Sequence, residues 1–141
     1  MDYTIFENKK IIITGACGTV GAKLVELLVN MPISFNEIIA IDNDEKSVFE
    51  HSKLAPSYVK YLCLDINNTL ALQSAIFGVD IIFHCAAMKH VEIGDNSPAQ
   101  IISTNLTSLS NLLELSVQNN VKRFIFTSSD KAVCPTNAMG A

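Results

Sequence analysis

Ile11-Ile12-Ile13-Thr14-Gly15-Ala16-Cys17-Gly18-Thr19-Val20-Gly21 joins a β-branched run to a glycine-rich turn that opens onto a helical pattern. A short continuous apolar run of this kind suits a strand buried on both faces of a parallel sheet. After the turn, Val20, Leu24, Leu27 and Leu28 recur at helical spacing, and Pro32 closes the segment. Strand, glycine turn and helix together predict the first half of a βαβ unit.

Outward from this unit the alternation continues. Residues 37–41 read as a second strand closed by Asp42-Asn43-Asp44, residues 45–53 as a helix, and residues 58–64 as a third strand. A short helix over residues 70–77 ends at Gly78, and residues 80–85 form a fourth strand. Ser97 at an N-cap and Pro98 at the first helical position start a helix expected to run to about Asn119. Residues 122–127 make a fifth strand. The expected fold is α/β: a Rossmann-like, doubly wound parallel sheet of about five strands in order 3-2-1-4-5, with helices on both faces. Residues 1–141 read as one such domain, without repeats or an interdomain linker.

Composition narrows the function. Of 141 residues, 49% are hydrophobic and 17% charged, the balance of a buried-sheet protein and not of a disordered one. A net charge of −4 without a Lys/Arg cluster argues against a nucleic-acid partner. The start, MDYTIFENKK, lacks the basic and apolar regions of a signal peptide, and no apolar stretch approaches the ~20 residues of a membrane segment. Cys17, Cys63, Cys85 and Cys134 are scattered without ligand-like spacing, so free buried thiols in a reducing, cytoplasmic setting are expected, and no metal site.

The G-x-x-G-x-x-G spacing assigns a task to each glycine. Gly15 permits the tight turn, Gly18 lets the backbone approach a pyrophosphate, and Gly21 lets helix and strand pack closely. Cys17, Thr19 and Val20 complete the turn and the helix N-terminus, whose unpaired N–H groups and positive dipole end suit phosphate. Asp42 ends the second strand, followed by Asn43. A carboxylate there accepts hydrogen bonds from ribose hydroxyls and repels a 2′-phosphate, which points to NAD over NADP. Taken alone, Asp42-Asn43-Asp44 is equally a plain strand-end turn. Asp65-Ile66 after the third strand is placed to reach an adenine, although Asp65 alone reads equally as a helix N-cap. Cys85-Ala86-Ala87 after the fourth strand leaves room for the cofactor backbone.

Together, TGxxGxxG, Asp65-Ile66 and Ala86-Ala87 resemble the extended short-chain dehydrogenase/reductase superfamily. Ala86-Ala87-Met88-Lys89-His90-Val91 and Ser128-Ser129-Asp130-Lys131-Ala132-Val133, with Asn96-Ser97-Pro98 and Thr104-Asn105 between them, are similar to signatures of polysaccharide-biosynthesis 4,6-dehydratases acting on UDP-N-acetylglucosamine. The resemblance implies hydride transfer from the sugar C4 to NAD, loss of water across C5 and C6, and return of the hydride to C6. It implies Asp130 as the acid for the departing C6 hydroxyl and Lys131 as the base for the C5 proton. It also implies a UDP-sugar substrate, Lys89 and Asn105 among the cofactor-binding positions, and a homo-oligomer.

Spacing alone leaves alternatives open. Asp130-Lys131 also reads as a solvated charge pair, Lys89-His90 as an exposed loop, and His84 as a core histidine. The superfamily's Tyr-x-x-x-Lys pair is incomplete: Met139 stands at the Tyr position, and a thioether neither takes nor gives a proton. Ser128, Ser129 or Asp130 is left as the candidate base for C4 oxidation. A sugar-nucleotide 4-epimerase would want Tyr at 139, and a non-catalytic dinucleotide module would not need Asp130-Lys131. The matching Lys would fall just past Ala141, so the chain is expected to be the cofactor half of an enzyme, ending before its substrate-binding domain.

Overall fold

The computed structural model describes residues 3–129 and Val133. A short 3₁₀ turn, Thr4–Phe6, precedes β1 (Lys10–Thr14) and α1 (Thr19–Val29). Then follow β2 (Glu37–Asp42), α2 (Glu45–Ser52), β3 (Val59–Cys63), α3 (Thr69–Ala75) and β4 (Ile81–His84). The last part holds α4 (Val91–Asn96), α5 (Pro98–Ile101), a π-helical segment (Ile102–Thr107), α6 (Ser108–Gln118) and β5 (Arg123–Phe126). The sheet has five parallel strands in order β3-β2-β1-β4-β5, as the sequence predicts.

β1 is central and buried on both faces, and its side chains alternate between two apolar cores. Ile12 joins Ile39, Ile41 and Ile82 under Leu72 and Ile76 of α3 and its flank, and Leu112 and Leu115 of α6. Ile11 and Ile13 join Ile38, Ala40 and Ile81 under Val25 and Leu28 of α1. Among the described residues β3 and β5 are the outer strands, and Ile125 and Phe126 of β5 are exposed. The N-terminal ends of the strands are tied together by charge. Glu37 accepts from Lys10 at 3.0 Å and Lys60 at 2.5 Å, while Asp80 accepts the Lys10 backbone N–H at 3.0 Å.

The fold departs from expectation in three places. The expected loop after Lys89-His90 contains α4, a helix too short to show periodicity and with Gly94 in its middle. The helix expected over residues 98–119 is divided by the π-helical segment. Where it passes into α6, the Ser108 hydroxyl donates to the Thr104 carbonyl at 2.5 Å. Ser97 takes the N-cap position of α5 but makes no side-chain cap bond. Finally, the thiols are not all buried: Cys63 is exposed, and Cys17 and Cys85 are half-buried.

Candidate dinucleotide site

The strand order places the ends of β2, β1 and β4 side by side, with the glycine turn between them. Backbone bonds hold the turn to its neighbours. Ala16 N–H donates to the Ile41 carbonyl at 3.0 Å, and Cys17 N–H to Asp42 Oδ2 at 2.9 Å. On the other side, Cys85 N–H donates to the Thr14 carbonyl at 3.1 Å and Ala86 N–H to Thr14 Oγ1 at 3.3 Å. Gly15 adopts φ +66°, and a Cβ there would lie 2.7 Å from the Ala86 nitrogen. A side chain at Gly21 would meet the Gly15 carbonyl oxygen at 2.1 Å, so the start of α1 packs directly on the turn. Gly18 differs. Its φ is −73°, and a Cβ would meet only the Gly15 oxygen, at 3.3 Å.

These ends enclose a cleft of about 570 Å³. Its walls include Gly15, Gly18, Thr19, Val20 and Gly21 from the turn and α1, Asp42 and Asn43 from β2, and Asp65 and Ile66 beyond β3. Cys85, Ala86, Ala87 and Lys89 close the side after β4. Of the sequence-predicted cofactor positions, Cys17 and Asn105 are not in the wall. Cys17 contributes its backbone N–H to Asp42. Burial, with Asp42 and Asp44 beside it, pushes its thiol up to about 11, so it is neutral at physiological pH. Asn105 grips the Met88 backbone instead: its Oδ1 accepts from Met88 N–H at 2.8 Å and its Nδ2 donates to the Met88 carbonyl at 3.0 Å. It thereby fixes the loop that carries Ala87 and Lys89.

The cleft is polar at both ends with opposite signs, Asp42 and Asp65 at one end and Lys89 at the other. Asp42 accepts from Cys17 N–H through Oδ2 and from Asp44 N–H through Oδ1, at 2.9 and 3.1 Å. A carboxylate has about four lone-pair sites, so acceptor capacity remains on each oxygen. Asp65 is not the cap of α3. It closes a turn on Asn67, while Asn68 Oδ1 caps α3 by accepting from Ala71 N–H at 3.1 Å. α1 begins without a capping side chain or an acidic residue in its first turn, which leaves its N–H groups facing the cleft.

His84 is a core residue. It is 1% exposed, stacks on Phe126, and has Nδ1 2.8 Å from Thr14 Oγ1. Burial lowers its pKa to about 4, so it is neutral. Ser128 and Ser129 follow β5 and are exposed, and neither is in the cleft wall. Asp130, Lys131, Cys134 and Met139 lie outside the described residues.

Residues 11–141 match a family model described as "Polysaccharide biosynthesis protein". The chain belongs to this family, within the extended short-chain dehydrogenases/reductases. This family member is 35% identical over 138 residues to a UDP-N-acetylglucosamine 4,6-dehydratase (inverting) of Campylobacter jejuni, covering 97% of the chain and 41% of that protein. It is also 35% identical over 144 residues to a UDP-glucose 4-epimerase of Rickettsia typhi, covering 96% and 41%. Among solved structures, Pen from Bacillus thuringiensis superposes with a TM-score of 0.89 at 30% identity, covering 96% of this chain and 42% of that one. The chain therefore spans about 41% of the length of both curated relatives.

The site also uses residues that the sequence motifs did not single out. Ile41 and Leu64 line the cleft as the apolar ends of β2 and β3, and Asn67, Ile93 and Gln100 join them. Ile93 reaches the cleft through the unexpected α4, whereas Gln100 sits on the helix expected after Ser97-Pro98 without any motif to single it out.

Proposed function

We propose that this chain is the cofactor-binding part of an NAD-dependent sugar-nucleotide 4,6-dehydratase acting on a UDP-N-acetylglucosamine-type substrate. The observation carrying the cofactor assignment is the contrast among the three glycines. An added Cβ at Gly18 meets one backbone atom, the Gly15 oxygen at 3.3 Å, whereas Gly15 is closed off by Ala86 at 2.7 Å and Gly21 by the Gly15 oxygen at 2.1 Å. A pyrophosphate over Gly18 would receive the N–H groups at the start of α1. Asp42 would use its spare acceptor capacity on ribose hydroxyls, and its charge disfavours a 2′-phosphate. Lys89 belongs to the opposite, nicotinamide end. When bound, the nicotinamide supplies a hydride acceptor and donor.

The acid–base steps fall to residues that follow β5 in the chain. Asp130 protonates the C6 hydroxyl as it leaves, and Lys131 removes the C5 proton. Ser128, Ser129 or Asp130 serves C4 oxidation in place of the missing tyrosine. A 4-epimerase is the second reading, favoured by the Rickettsia relative's equal identity; Met139 weighs against it.

Cytoplasmic placement belongs to the same proposal, supported by free thiols at Cys17, Cys63 and Cys85. No helix among the described residues is long and apolar enough to cross a membrane. Homo-oligomerisation also belongs to it, supported by exposed Leu113 and Val117 on α6.

Two substitutions in the full-length enzyme test the chemistry. Asp130→Asn and Lys131→Ala should each lower conversion of UDP-N-acetylglucosamine to its 4-keto-6-deoxy product by about 10²–10⁴-fold, with NAD affinity unchanged. Wild-type turnover in either variant rejects the assignment of that residue. A 4-epimer as product selects the second reading.

A further inference from the structure

Asp65 does not stand alone in the cleft. Its Oδ1 accepts from both Asn67 N–H and Asn67 Nδ2, each at 2.9 Å. The Asn67 side-chain oxygen in turn accepts from the Ser103 hydroxyl at 2.8 Å. Ser103 belongs to the π-helical segment and is not in the cleft wall, whereas Asp65 and Asn67 are. The chain hydroxyl–amide–carboxylate therefore runs from a helix into the loop after β3. Its direction is set by chemistry. An ionised carboxylate only accepts, so the Asn67 amide turns Nδ2 to Asp65 and leaves Oδ1 to accept from the Ser103 hydroxyl.

The π-helical segment makes this possible together with its other contacts. Ser103 binds the loop after β3, Thr104 faces the cleft, and Asn105 grips the loop after β4. Three successive side chains thus engage both walls. Insertions of π geometry recur at functional sites because they redirect side chains in this way.

We infer that Ser103 is a positioning residue for the base end of the cleft, orienting Asn67 and through it the Asp65 carboxylate toward the exocyclic amino group of an adenine. This rests on the proposed cofactor reading, in which the half of the dinucleotide beyond Asp42 lies over β2 and β3. One oxygen of Asp65 is engaged by Asn67, and the other accepts from the amino group. Losing the Ser103 hydroxyl removes the bond that ties the Asn67 amide to the helix, so Asn67 and the Asp65 carboxylate it holds lose their fixed place in the cleft. A base without an amino group gains nothing from Asp65 and is indifferent to the change.

Calorimetry on the 141-residue chain separates the possibilities, using NAD and its purine analogue, in which a hydrogen replaces the amino group. Wild type should bind NAD more tightly than the analogue. Ser103→Ala should weaken NAD by about 2–10-fold, the effect of one hydrogen bond, and leave the analogue unchanged. Ser103→Thr, which keeps the hydroxyl, should restore the preference. Asn67→Asp, which removes the amide donor and adds a repelling charge, should lose it; this variant decides the matter if Ser103→Ala does not fold. Equal weakening of both ligands, or no change in either, overturns the positioning role while leaving NAD binding intact. Failure of the wild type to bind either ligand overturns the cofactor reading, and the inference with it.

Discussion

Alanine at Gly18 should separate folding from binding at the glycine turn. A methyl group added there meets a single protein atom, the Gly15 oxygen at 3.3 Å, on a backbone with an ordinary φ of −73°. A shift of a few tenths of an ångström relieves the contact, and the larger share of the cost comes from alanine being a poorer N-cap than glycine. The expected destabilisation is about 0.5–1 kcal/mol. At Gly21 the same methyl lies 2.1 Å from the Gly15 oxygen and 2.8 Å from the Ala16 Cα, both backbone atoms that cannot rotate away. Gly21→Ala should cost about 3 kcal/mol or more, beyond the usual overpacking range. Gly78 supplies the control for backbone strain: its φ is +70°, with no atom within 4 Å of an added Cβ. Gly78→Ala should cost about 1 kcal/mol from conformation alone.

Binding should follow a different order. A methyl between the Gly18 backbone and a pyrophosphate acts as overpacking of a close contact, about 1–3 kcal/mol, or roughly 5–150-fold in Kd. Urea denaturation of the three variants beside NAD calorimetry reads both quantities. The reasoning fails if Gly18→Ala binds NAD like the wild type, or if it unfolds as readily as Gly21→Ala.

Asp42→Asn keeps an acceptor for Cys17 N–H and removes the charge, so the chain's preference for NAD over NADP should narrow; calorimetry showing wild-type preference for NADP would contradict the role of Asp42. Asn105→Ala frees the Met88 backbone on both its N–H and its carbonyl and should cost about 1–3 kcal/mol of stability in a denaturant melt; because Asn105 is outside the cleft wall, the loss reflects loop order and not a lost ligand contact. The pH dependence of stability should show His84 before the carboxylates. Its folded pKa of about 4 lies below the ordinary 6.5, so the unfolded chain takes up the proton first and stability falls as pH drops between those values, by roughly 3 kcal/mol at most. Glu37, whose carboxyl is held below its ordinary 4.5 by the hydrogen bond from Lys60 and then by Lys10, contributes above that value and loses its share only as pH falls below it. A stability profile flat from pH 6.5 to 5 would contradict a buried neutral His84.

The parts of the fold legible from sequence are those where one local signal has one structural outcome. The run Ile11–Ile13, flat in hydrophobicity, has to be buried on both faces, which requires a central parallel strand. The glycine spacing was legible because Gly15 turns the chain with a positive φ and Gly21 packs on Gly15 and Ala16 a few residues away, although the atoms nearest an added Cβ at Gly15 belong to Cys85 and Ala86, far along the chain. What was hidden depends on partners far along the chain. Asp65 reads as a cap or a ligand until Asn68 is seen to hold the cap and Asn67 to occupy Asp65. Asn105 resembles a cleft residue by motif, yet Met88 takes both ends of its amide. The π-helical segment lies inside a stretch that reads as one helix, and nothing in its apolar spacing marks the change of geometry.

The charge pattern of the cleft also argues for a single orientation of its ligand. Asp42 and Asp65 belong to the β2–β3 side, and both can only accept hydrogen bonds when ionised. Ribose hydroxyls and an exocyclic amino group are donors and suit that end; a phosphoryl group or a carboxylate does not. Cys17 does not upset this balance, because burial keeps its thiol protonated and adds no third negative charge beside Asp42. In the proposed reading a pyrophosphate would fall at the centre, over Gly18 and the start of α1, where no acidic side chain is present in the first turn. Lys89 remains for the far end, on the side of β4 and β5. Reversing the ligand would place neither its donors nor its phosphates against complementary groups. The strand order sets this direction: β2 and β3 lie on one side of the glycine turn and β4 and β5 on the other, and the segment carrying Asp130 and Lys131 follows β5.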